Sequence, residues 1–304
     1  MSNFDHNEYM HLCTDIMQDY QGSSNRGKIK TIRQYAEILV RKILNLASDK
    51  EVMLGNKKII NELKGLIKDE DFFTHLLDVI KENGNDCTHT QVIRKITNDD
   101  LKVCIESLYM VISYLFVIFF RKYRFGYNEP IMTAFSILPP VIRYNTLSIL
   151  NKEDAENPMI VDKLSLAILK YRGLQEAQRW LLERKDMLSR IPSVTDETYL
   201  VMKEKLGVQL ADRLRASGGN MFSFSMGKVE RVSNNINEDR FPVYDSFESS
   251  LKLFQEKGLL EEDSEENKEF NSLMKLVYLG RIPEENVSLD RIELCLPIVM
   301  LTLS

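Results

Sequence analysis

At 304 residues the chain is long enough for two compact domains, and its 44% apolar and 28% charged content excludes a disordered polymer. The formal net charge is −5, from 40 basic against 45 acidic side chains, so any nucleic-acid contact needs a local basic patch. Four widely spaced cysteines (Cys13, Cys87, Cys104 and Cys295) offer no C-x-x-C pair, which points to reduced, buried thiols rather than zinc or a disulfide framework.

Residues 1–28 are polar and mixed, and 21–27 read as a loop by composition. The opening MSNFDHNEYM lacks the basic-then-apolar order of a signal peptide, so a cytoplasmic location is expected. From Lys28 to Ala47, Ile32, Tyr35, Ala36, Leu39, Val40, Ile43 and Leu44 recur at helical spacing and predict the first helix. Arg33, Glu37 and Arg41 fall one turn apart on one face of it. Gly55-Asn56 is a break, and a second short helix is expected over 57–68. Asp69-Glu70-Asp71 favours a third helix start, with Gly84 as its natural stop and a polar loop over 84–98. Thr97-Asn98-Asp99-Asp100 has capping-box form and opens a fourth helix, Leu101 to about Arg124. Its charge-free run from Ser107 is about 14 residues, short of the roughly 20 that span hydrocarbon, so a core helix is expected and a membrane span is not.

In the second half, Tyr127-Asn128-Glu129-Pro130 and Pro139-Pro140 read as breakers. Helical periodicity returns over 161–171, over 174–190 up to Pro192, and over 196–216. Residues 217–246, rich in Gly, Ser and Asn, are expected to form a flexible loop. An amphipathic helix over 247–257 follows, then an acidic solvated run over 261–269 and an apolar stretch over 295–301 suited to docking on a core or a partner. No strand is predicted. The expected fold is all-α: a four-helix domain over 1–125, and a mostly helical C-terminal domain over 126–304 available to a protein partner.

One constellation stands out as chemistry. In Gly84-Asn85-Asp86-Cys87-Thr88-His89, His89 is a candidate general acid or base for the 2′-hydroxyl or 5′-oxygen of RNA, and Asn85 a candidate to orient it. A nearby cation (Arg33, Arg41, Lys81 or Arg94), with Glu37 beside the first two, would stabilise a pentacoordinate anion. Three other signals carry less. Residues 218–228 lack P-loop spacing, because Phe222 and Val229 replace the first glycine and the hydroxyl residue. Glu261, Glu262, Asp263, Glu265 and Glu266 read as a solvated face, and His6 and His11 have no third ligand at metal spacing. No metal or cofactor is expected.

Residues 28–125 resemble the HEPN superfamily of helical domains, in particular a branch of uncharacterised function often attached to restriction-type subunits. The likeness rests on Arg33…Glu37 in the first long helix and on Gly84-Asn85-Asp86-Cys87-Thr88-His89 before the last. In the superfamily's ribonucleases the comparable turn reads Arg-Asn-x-x-x-His, and two copies meet across a dimer to form the site. Here Gly84 stands where that arginine would be, with Lys81 one turn earlier as a substitute. The resemblance therefore implies a dimerising, non-catalytic interaction protein of a microbial defence system, with RNA or a nucleotide as a ligand. The alternative is a metal-independent endoribonuclease working through Asn85 and His89.

Overall fold

In this all-α chain, eight of the described helices start at a residue whose side chain accepts from an N–H of the first turn. The computed structural model describes residues 3–89, 93–194, 196–241, 243–244 and 246–281. These residues contain fifteen helices and no strand; a single bridge pairs Pro192 with Asn220. They divide into two units: one holds the chain up to Arg124 with the described residues from Phe254 onward, the other holds Phe125–Leu253.

The first unit opens with α1 (His6–Gly22), which the mixed polarity of residues 1–28 does not reveal. Asp5 caps it, and Tyr9, Cys13 and Ile16 carry its buried stripe. Ser24 caps α2 (Asn25–Ile43), whose Ile29, Ile32, Tyr35, Ala36, Leu39 and Ile43 are buried at helical spacing. The short α3 (Lys57–Lys64) follows, then α4 (Glu70–Thr88) and α5 (Asn98–Lys122). The capping box expected at α5 is present: the Thr97 hydroxyl accepts from the Asp100 N–H, and the Asp100 carboxylate accepts from the Thr97 N–H at 2.8 Å.

The four helices expected over 28–125 are all found, but they are not an equal bundle. The core is α2, α4 and α5 packed on one another; α3 touches α4 and α1 lies along α2. The remaining wall comes from far along the sequence. The last described helix, α15 (Glu265–Val277), packs on α1 and α5, Phe270 meets Phe116 and Phe119 with ring centres 5.9 and 5.3 Å apart, and the Tyr35 hydroxyl donates to the Leu276 carbonyl at 2.9 Å. A domain boundary at residue 125 is therefore half of the division, because 254–281 belongs with the first unit. Within the acidic run over 261–269, Glu261, Glu262, Asp263 and Glu265 are exposed as expected, while Asn267 is buried. α5 is the one described helix long and apolar enough to cross a membrane, and 61% of its most apolar window is buried inside the protein.

In the second unit the two expected breakers start helices. Asn128 caps α6 (Glu129–Phe135) by accepting from the Ile131 N–H at 3.3 Å, and Pro140 is the first residue of α7 (Pro140–Glu153). α8 (Pro158–Arg172) and α9 (Leu174–Leu182) are separated by Gly173 at φ +92°. After α10 (Lys185–Leu188), the helix expected over 196–216 is two, α11 (Asp196–Leu206) and α12 (Val208–Ser217), joined at Gly207 with φ +82°. Both glycines occupy a backbone region costly for other residues.

The flexible loop expected over 217–246 is largely wrong. Residues Met221–Asn237 form α13, capped by Asn220 accepting from the Ser223 N–H at 3.0 Å. Met221, Ser225, Val229 and Ser233 recur every four residues and are buried, so the serines that suggested a loop are small residues on a packed face. α13 lies on α8 and α9, while α7 packs on α8. Lys228, at the end of the stretch that lacks P-loop spacing, pairs with buried Asp162 of α8 at 2.6 and 2.8 Å. α14 (Phe247–Lys257) matches its expected bounds and carries the chain back to the first unit. The apolar stretch over 295–301 lies outside the described residues.

Candidate functional site

α4 does not stop at Gly84; it runs about one turn further to Thr88, so Gly84 and Asn85 are helical and His89 is its C-cap. What would have been a polar loop is thus the end of a helix pressed against α2. Gly84 is buried there, because a Cβ at this position would lie 2.6 Å from Arg33 Cδ and 3.0 Å from Arg33 Cβ. Real Cβ atoms do not come that close, so the glycine makes room for the arginine stem.

From that seat Arg33 bonds in two directions. Nη1 donates to Asn85 Oδ1, and Nε donates to Glu37 Oε1 at 3.3 Å. Both side chains of the ion pair are about a quarter to a third exposed, at 25% and 31%. Burial raises the Glu37 carboxyl above its ordinary pKa, opposed by the charge and hydrogen bond of Arg33 and by the charge of Arg41. The structure therefore brings Arg33, Glu37 and Asn85 together, with Arg41 close enough to act on Glu37.

The other candidate cations have separate partners. Arg41 donates to the Ala47 carbonyl at 2.6 Å and lies over the Tyr9 ring. Lys81 lies against Gly55 and donates to Asp78 on its own helix. Arg94 binds Asp100 at 2.9 Å and Asp86 at 3.3 Å. Neither Lys81 nor Arg94 joins the Arg33 cluster. The His89 backbone N–H donates to the Asn85 carbonyl at 3.0 Å, while its imidazole is exposed and bonds to no described residue.

Sequence reasoning missed Arg26. Its guanidinium donates to the Asp86 carbonyl at 2.6 Å and the Arg94 carbonyl at 3.2 Å, placing positive charge at the C-terminal end of α4. The signal was hidden because Arg26 sits in the 21–27 stretch that reads as a loop, although Ser24 caps α2 there. The described thiols Cys13, Cys87 and Cys104 are free and buried, with Cys13 and Cys104 pushed up to about 12 by burial. Among the described residues, no three His, Cys, Asp or Glu side chains gather as a metal site.

The same unit has a groove of about 610 Å³ between α2, α5 and α15, floored by Leu115 and Phe119. Its lysines are engaged: Lys122 binds Glu269 at 2.6 Å, and Lys42 donates to Ser272 at 3.3 Å. Against family models, curated proteins and solved structures alike, the chain gives no match.

Proposed function

We propose that the chain is a HEPN-like, non-catalytic interaction protein that pairs with a second copy of itself and serves a microbial defence system of anti-phage or restriction-associated type. The observation that carries the non-catalytic half is the occupancy of the cations. Arg33 is held by Asn85 and Glu37, Arg41 by Ala47, Lys81 by Asp78 and Arg94 by Asp86 and Asp100. Each of these cations is already bonded to a group of the fold, and a cation committed to such a partner is worth less to a phosphorane than one aimed only at it.

The interaction half is supported by the first half of α5. Val103 is 45% exposed, Leu101, Ile105, Leu108 and Tyr109 are only partly buried, and Ile93, on the approach to this helix, is 93% exposed. An apolar helix face left in water suits a partner. The defence setting comes from the likeness of Arg33…Glu37 and of residues 84–89 to HEPN domains. Sedimentation at high micromolar concentration should give a dimer that Val103→Glu converts to monomer, and labelled RNA should stay intact. A strictly monomeric protein, or one that cleaves RNA, would end this reading.

The second reading, a metal-independent endoribonuclease, is favoured by one observation: the exposed His89 imidazole bonds to no described residue, at the end of α4 where Arg26 and Arg94 also gather. Cleavage that disappears in His89→Ala would establish it.

A further inference from the structure

The second unit contains a groove of about 470 Å³ bordered by Tyr144 and Ser148 of α7, Arg172 at the end of α8, and Glu176 and Trp180 of α9. Gly173, with its positive φ, ends α8 and begins α9, which sets Arg172 and Trp180 along the same groove. The Arg172 guanidinium carbon lies 4.5 Å from the centre of the Tyr171 ring and 5.6 Å from that of Tyr144, and the two rings are 5.2 Å apart.

Those aromatic faces hold Arg172 without neutralising it. Among the described residues it has no ion pair and no hydrogen bond, although two carboxylates line the groove. Both are paired with other cations: Glu176 with Arg179, which also lines the groove, and Glu183 with Arg184 at 3.3 Å and Arg179 at 3.9 Å. The Trp180 indole N–H and the Ser148 hydroxyl likewise donate to no described residue. The groove therefore presents donors that lack acceptors beside the rings of Tyr144 and Trp180, the latter with the Arg184 guanidinium on one face, 4.8 Å from the ring centre.

The complement of such a surface is a flat ring joined to an anionic group. A π-faced ring stacks on indole or phenol, and a phosphate takes charge-assisted bonds from a held guanidinium. The volume is that of a small-ligand site, which spans about 300–1,000 Å³. We propose that this groove binds a nucleoside monophosphate, with the base against the aromatic wall and the phosphate on Arg172. The proposal is independent of whether the first unit is an interaction module or a ribonuclease.

Trp180 is the chain's one tryptophan, so intrinsic emission of the full-length protein reports on the groove directly. AMP is the probe, with adenosine supplying the ring alone and ribose 5-phosphate the phosphate alone; calorimetry on the same samples registers any binding that leaves emission unchanged. The expected result is saturable binding of AMP, with adenosine and ribose 5-phosphate each weaker by at least about tenfold. Arg172→Ala, at an exposed position, should keep its melting temperature and its adenosine affinity while losing about tenfold or more in AMP affinity. Three results would overturn the proposal: no saturable binding of AMP, GMP, CMP or UMP, AMP affinity unchanged in Arg172→Ala, or ribose 5-phosphate binding as tightly as AMP.

Discussion

Arg33 reaches Asn85 by lying across Gly84. The stem of the arginine fills the space a side chain at 84 would need, and its guanidinium then bonds Asn85 one residue further along α4. Arg33, Gly84 and Asn85 form one joint between two helices, and a side chain at 84 has no room beside Arg33.

That joint predicts non-additivity. Alanine is favoured over glycine in a helix by about 1 kcal/mol, but at 84 the clash with Arg33 outweighs this and Gly84→Ala should cost about 1–3 kcal/mol. Arg33→Ala removes the obstacle. Urea unfolding of both single variants and the double variant should show that Gly84→Ala is tolerated, or stabilising, once Arg33 is gone. Additive losses would mean that the two residues do not share space.

Asp162 and Lys228 make the corresponding prediction in the second unit. Their side chains are 1% and 12% exposed, so Asp162→Asn strands a buried ammonium and should cost about 3–5 kcal/mol. Replacing both by methionine should recover most of that loss, because two apolar side chains need no counter-charge. Equal damage from the single and double changes, read by thermal unfolding, would contradict the pairing.

Lys170 gives the pH dependence. Burial lowers its pKa to about 8, and the charges of Arg143 and Lys163 add to the effect. Below pH 8 the amine is protonated in folded and unfolded chains alike, and the cost of burying the charge is fully present. From there to about pH 10.4, the ordinary lysine value, the unfolded chain binds the proton that the folded one has lost, so this group's contribution to stability rises with pH. Lys170→Met should raise the melting temperature at neutral pH and flatten that alkaline rise. A variant with the wild-type pH profile would show that the amine is solvated.

How much of this was legible follows from the kind of signal each element carries. The α5 capping box and the α14 bounds were readable because caps and Gly258 are local chemistry. α13 was not, because a face built from Ser225 and Ser233 is polar by composition and packed by size. α15 and α1 complete the first unit through contacts such as Tyr35 with Leu276, 241 residues apart, for which periodicity has no sign. In the site, Arg33 and Glu37 pair along α2 as their spacing predicts, but the Asn85 side chain bonds Arg33 rather than His89. Sequence alone suggests Gly84 as a helix stop, whereas its use is the absence of a Cβ against Arg33. Lys81, expected one turn before Gly84, and Arg94 each pair with an aspartate near in sequence instead of joining them.

The most direct measurement is to install the arginine that ribonuclease members of the resembling superfamily carry, as Gly84→Arg, and to follow unfolding and RNA cleavage in the same preparation. If position 84 is the seat of Arg33 and the helix end is a structural joint, the variant loses stability and leaves RNA intact. A variant that melts like the parent and begins to cleave RNA would contradict the account.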